Sequence, residues 1–295
     1  MEAEAKTSQP EPNAGVMAGQ PITFGGVAAF AFASWRRLFI TQAVVAGGGV
    51  AAILIFLFSA WLPAIDQAIG NLPENGYILR GELAWPNAEA VQLSDSRWLT
   101  IIVAPMNIHS FGKSADFQLE LHSKEVRLYS MLGYLQLPYG KDFSLQLSQP
   151  DALPWWGARR PFFVAGAIVG TFFGLWLLWM SLALLYAPGA KLTAFWRNRE
   201  LTWVQAIRLS AAALLTPAVV YSVAIALYGL GWVPLEGLIA GCILHVVMGW
   251  AYVAGAPMRL PLKPEALAAI KKNPFDQPGE EKAEPKPASN PFKDK

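Results

Sequence analysis

Long apolar blocks separated by polar stretches of unequal length set the pattern of this chain, at residues 38–64, 161–187, 203–229 and 235–256. A helix rises about 1.5 Å per residue and a bilayer's hydrocarbon layer is about 30 Å thick, so each block predicts a membrane-spanning helix. Residues 65–158 follow a different rule. Short apolar runs at 77–85, 97–104, 117–121, 125–129, 132–137 and 143–147 alternate with Gly-, Pro- and Asn-containing breaks such as LPENG and LPYGKD, the signature of strands and turns. The clearest alternation is FQLEL. It predicts Phe117, Leu119 and Leu121 on one face and Gln118, Glu120 and His122 on a solvated one. The expected fold class is membrane α-helical, with four transmembrane helices and a β-rich extracytoplasmic domain inserted between helices 1 and 2.

The remaining segments complete the organisation. Residues 1–21 form a polar tail, and 22–37 end in Trp35, Arg36 and Arg37, a composition suited to a membrane-surface segment. Residues 188–202 predict a basic loop, and 257–295 a polar tail that includes a short helix at PEALAAIKK. Pro217, near the middle of the third block, predicts a kink because it removes a backbone donor.

Composition supports this layout: 54% of residues are hydrophobic and only 15% charged, and the formal net charge of +2 offers no basic stripe for nucleic acid. Near the helix ends, Arg36, Arg37, Lys191, Arg197, Arg199, Arg259, Lys263, Lys271 and Lys272 share one side, against Arg80, Arg159 and Arg160 on the other. The positive-inside rule then predicts a multi-pass protein of the inner (plasma) membrane with both termini cytoplasmic and residues 65–158 periplasmic or extracellular. The single cysteine, Cys242, excludes an intramolecular disulfide.

Candidate chemistry is sparse. Gly237, Gly241, His245 and Gly249 recur every fourth residue, placing a glycine stripe and one imidazole on one helix face. Gly166, Gly170 and Gly174 form a second stripe, a GxxxGxxxG pattern that permits close helix packing, either within one chain or in a homodimer. His245 is an intramembrane ionisable residue. It serves either in a proton relay or ligand contact, or as a neutral histidine bonded to Ser210, Thr216, Ser222 or a carbonyl. His109 and His122 lack zinc-ligand spacing, and no nucleophile, phosphate-loop or cofactor motif occurs, so no enzyme activity and no cofactor are expected. The tail repeats Asn-Pro-Phe around Phe275 and Phe292, a turn that presents an aromatic to a partner.

LPENGYILRGEL, ADFQLELHSKEVRLYSMLGY, PWWGARRP and LHVVMGWAY together resemble four-span bacterial inner-membrane proteins grouped as a domain of unknown function. The resemblance covers roughly residues 60–260 and implies membrane residence without assigning any site residue. The expected partners are the lipid bilayer and other membrane or envelope proteins. The expected role is a non-enzymatic anchor or interaction subunit, the alternative being a small-solute transporter or channel subunit with a polar path near His245. If the tail repeat docks a partner, a tail peptide carrying Phe275→Ala and Phe292→Ala loses what the wild-type peptide captures; equal capture dismisses the motif.

Overall fold

The structure is a computed structural model that describes residues 20–106 and 115–271. It contains four helices long and apolar enough to cross a membrane, with the β-sheets between the first and the second. The first is continuous from Trp35 to Gly70: α2 (Trp35–Phe56), a π-helical turn (Leu57–Trp61) and α3 (Leu62–Gly70). Ser34 opens it by accepting a hydrogen bond from the Arg37 amide. The wide turn has a local cause: Pro63 cannot donate to the Ser59 carbonyl and its ring crowds it, so the helix widens just before the proline.

The second, α4 (Gln149–Trp196), runs for 48 residues and contains Pro154, Pro161 and Pro188. At about 72 Å it is more than twice the hydrocarbon thickness. The apolar block 161–187 is therefore only its centre, and residues 188–196 are helix where a loop was expected. The third is split into α5 (Trp203–Ala213) and α6 (Leu215–Gly229), the break at Leu214 falling beside the Ala213 carbonyl that Pro217 cannot satisfy. A capping box between Thr202 and Gln205 opens α5. The fourth is α7 (Leu235–Gly255), followed by a 3₁₀ turn (Ala256–Arg259) and α8 (Pro264–Lys271).

The third helix is the hub. Half of its apolar window is buried, against 11% for α4 and for α7. Along α4, Phe162, Phe163, Val169, Phe173 and Leu177 point outward, the surface lipid would cover. Residues 22–37 have an exposed side that includes Ile22, Phe32 and Arg36, and a buried one. They fold into α1 (Phe24–Ala29) and a turn, with Val27, Phe30 and Ala31 fully buried in the bundle core. Phe24 packs against Tyr252 with the rings tilted, and the absence of a side chain at Gly255 admits the Phe24 ring, since a Cβ there would lie 2.6 Å from it.

The inserted segment forms two sheets. Residues 77–85, expected as one strand, are a hairpin of β1 (Tyr77–Leu79) and β2 (Glu82–Ala84), turned at Arg80 and Gly81, whose φ values are both positive (51° and 78°). Together with β8 (Leu145–Gln146) they make a three-stranded sheet. The larger sheet, in order β3-β4-β5-β6-β7, comprises Val91–Ser94, Leu99–Ala104, Phe117–His122, Glu125–Ser130 and Gly133–Pro138. Only β4 and β5 are parallel. One face, with Leu99, Ile101, Val103, Leu119 and Leu121, packs with Ala64 and Ala68 of α3 and with Ile78 and Leu83 of the hairpin.

The bundle tests its own packing at two glycines. A Cβ at Gly229 would lie 2.6 Å from Phe56 Cα, a backbone atom that cannot swing away, whereas one at Gly166 meets nothing within 4 Å. Gly229→Ala is expected to destabilise by about 1–3 kcal/mol and Gly166→Ala to change stability by less than about 0.5 kcal/mol, as measured by thermal or denaturant unfolding in detergent.

Candidate functional site at the junction of bundle and sheet

The C-terminal end of any helix leaves carbonyls with no intrahelical donor. At the C-terminus of α6 the Ala226, Leu227 and Tyr228 carbonyls accept the amides of Leu230, Trp232 and Gly231, and side chains from elsewhere in the chain join them there and at the turn that follows. Trp98 Nε1 donates to the Tyr228 carbonyl at 2.9 Å, and the Ser59 hydroxyl, on the π turn, lies 2.8 Å from the Gly229 carbonyl. Arg97 Nη1 donates to the Gly231 carbonyl at 2.7 Å, and Nη2 reaches the Val233 carbonyl at 3.4 Å. A guanidinium at a helix C-terminus also complements the helix dipole. Gly231 adopts φ +80°, the left-handed conformation that ends many helices, with the Trp98 ring packed beside it.

Bonds in the opposite direction complete the joint. The Tyr228 hydroxyl donates to Asp116 Oδ2 at 2.9 Å, and its ring stacks on Phe56 with centroids 5.6 Å apart. Trp61 packs edge-on against Phe117 at 6.0 Å. Asp66 on α3 accepts from Trp156 Nε1 of α4 at 2.7 Å and pairs with Arg160 at 3.1 Å. The sheet is thus bonded to the helices that flank it in sequence and, through Tyr228, to the third.

Within the sheet, the expected solvated face is buried. Gln118, Glu120 and His122 are 3%, 4% and 0% exposed, less than the apolar residues with which they alternate. Glu120 accepts from Gln118 Nε2 at 2.7 Å and from His122 Nε2 at 2.8 Å, so both its oxygens are used. The burial extends to the neighbouring strand, where Thr100, Ile102 and Ala104 of β4, paired with Gln118, Glu120 and His122, are buried beside them. Strand alternation separates two faces but says nothing about which is covered. Among the described residues, no three His, Cys, Asp or Glu side chains gather as metal ligands. On the neighbouring β6, Glu125 is hydrogen-bonded by Gln136 of β7 and by Arg127, which hold its carboxyl below the usual carboxylate range, and just past β7 burial pushes the Tyr139 phenol up.

Ser210, Thr216, Ser222 and His245 share no hydrogen bond among the described residues. Thr216 donates to the Pro21 carbonyl, Ser222 donates to the Ala218 carbonyl at 2.8 Å, and Ser210 is fully buried. His245 instead stands beside Tyr221, with ring centroids 6.0 Å apart, and its Nδ1 is buried without a hydrogen-bond partner. Gln42, which sequence reading passed over, is fully buried mid-helix with its amide 3.8 Å from Met180 Sδ. The two glycine stripes do not meet. Gly241 faces Tyr221 and Ala224, Gly249 faces Leu214 and Tyr186, and Gly237 lies against Val233, whereas Gly166, Gly170 and Gly174 have open space where a side chain would stand. Phe275, Phe292 and His109 lie outside the described residues.

Comparison with protein-family models, with curated proteins and with solved structures finds no match to this chain.

The buried carboxylate is the group on which the sheet's polar interior turns. Glu120→Ala, which leaves Gln118 and His122 facing a void, is expected to cost about 3 kcal/mol. Glu120→Gln, which keeps an acceptor, should cost less; unfolding monitored by circular dichroism separates the two.

Proposed function

We propose that the chain is a non-enzymatic anchor or interaction subunit of the inner (plasma) membrane, with both termini cytoplasmic and the sheet domain outside the cytoplasm, where it binds a protein or envelope component. The observation that carries this reading is β7. It is the edge of the five-stranded sheet, all six of its residues are exposed, and its sequence GYLQLP bears no charge. An edge strand offers unpaired backbone donors and acceptors, and soluble domains ordinarily guard such edges with charges, bulges or a covering element. An edge left open in this way suits the addition of an extended segment from a partner.

The junction gives the second half of the proposal. A load or partner on the sheet reaches the bundle through Asp116, Trp98 and Arg97, whose bonds end on α6 and the turn that follows it. The transporter alternative draws less support: Ser210, Thr216, Ser222 and His245 are bonded or packed locally, with no hydrogen bond linking them among the described residues. The exposed Gly166, Gly170 and Gly174 face leaves room for a second copy or another helix.

Affinity purification of the full chain from native membranes, with a photo-crosslinking residue at Leu137, should capture a partner at β7, and adding Leu135→Lys to the same chain should abolish the capture. His245→Gln should leave it unchanged. Capture that survives Leu135→Lys, or a solute flux in proteoliposomes that His245→Gln abolishes, would overturn the anchor reading.

A further inference from the structure

At the end of the bundle remote from the sheets, a cavity of about 490 Å³ opens between the last turns of α4, the start of α5 and the chain after α7. Its charged lining is Lys191, Arg199, Lys263 and Glu200, three cations against one carboxylate. Among the described residues, none of the three cations has a carboxylate partner. Lys191 Nζ donates to the Leu201 carbonyl at 2.8 Å and lies 5.3 Å from the Trp203 ring. Arg199 Nη1 donates to the Leu260 carbonyl, while its Nε is buried with no hydrogen-bond partner. Lys263 Nζ lies 5.3 Å from the Phe195 ring. The positive charges are held in place by carbonyls and ring faces, which fix them without neutralising them.

Two further features define what would fit. The capping box occupies the Thr202 and Gln205 amides and Ala206 donates to the Thr202 carbonyl, so in the first turn of α5 the Trp203 and Val204 amides are the ones left without intrahelical acceptors, and a helix N-terminus of this kind favours an anion. Around the mouth, Phe195, Trp196 and Trp203 are all more than half exposed, the kind of aromatic ring that settles at the headgroup level of a bilayer. We propose that this cavity binds the phosphodiester headgroup of an anionic phospholipid, with Arg199 presenting its unused guanidinium donors and Lys191 and Lys263 flanking the phosphate. Basic pockets between helices at one membrane face recognise lipid headgroups in this way, and the inference rests on the four helices crossing a bilayer.

Native mass spectrometry of the full chain, titrated in detergent with phosphatidylglycerol, phosphatidylcholine or inorganic phosphate, tests the assignment. Phosphatidylglycerol should be retained selectively. Lys263→Gln and Arg199→Gln should each weaken its retention about fivefold, the equivalent of about 1 kcal/mol per cation. Arg197→Gln, which removes an exposed charge from the same region outside the cavity, should have no such effect. Lys263→Gln guards against a folding defect in the Arg199 variant. Equal retention of phosphatidylcholine, an equal loss in Arg197→Gln, or inorganic phosphate that displaces the lipid at matching concentration would each overturn the proposal. Flotation of the protein with pure phosphatidylcholine vesicles checks membrane insertion separately, so a failure of the four-span reading is distinguishable from a failure of the headgroup site.

Discussion

The requirement that a buried helix end find donors for its last carbonyls shapes this molecule more than any other constraint. At the C-terminus of α6 backbone amides of the next turn are joined by Trp98, just before β4, which donates to the Tyr228 carbonyl, while Arg97 donates to the Gly231 carbonyl and the Ser59 hydroxyl lies beside the Gly229 carbonyl. The inserted domain therefore adds its own hydrogen bonds to this end of the bundle. Its Asp116 also receives the hydroxyl of Tyr228, a residue in the same final turn. The π turn contributes by placing Ser59 within reach of Gly229, where the absence of a side chain lets α6 approach the Phe56 backbone.

Around that joint the helices divide their labour. The third helix is enclosed, while α4 and α7 turn most of their apolar surface outward. Gly241 and Gly249 serve close contacts with Tyr221, Ala224, Leu214 and Tyr186, but Gly166, Gly170 and Gly174 serve none within the described chain. Two stripes with the same spacing thus have opposite surroundings. The small-residue pattern permits close approach, and the arrangement of the neighbours decides whether it happens.

The larger sheet shows the same division between local pattern and context. Its apolar face meets α3 and the hairpin, as any amphipathic strand requires. The polar face of β5 is buried as well, and it is tolerable because Gln118 and His122 both donate to Glu120. At the far edge of the same sheet β7 is left uncovered. An enclosed centre and an open edge thus occur within one sheet, and the open edge is what the proposed docking of a partner rests on.

The sequence by itself determined the elements governed by near neighbours. Four apolar blocks long enough to cross a bilayer, the β-rich insertion between the first two, and the helix break ahead of Pro217 all follow from composition, period and a missing amide. Tertiary structure decided everything that depends on which surfaces meet. It turned the expected solvated face of Gln118, Glu120 and His122 inward and buried Val27 and Phe30 instead of leaving them in a surface segment. It also kept Ser210, Thr216 and Ser222 away from His245, and it brought Trp98 and Asp116 to Tyr228 across more than a hundred residues of chain. Periodicity records how a residue sits on its own helix or strand, but coverage and partner are properties of the assembled neighbours.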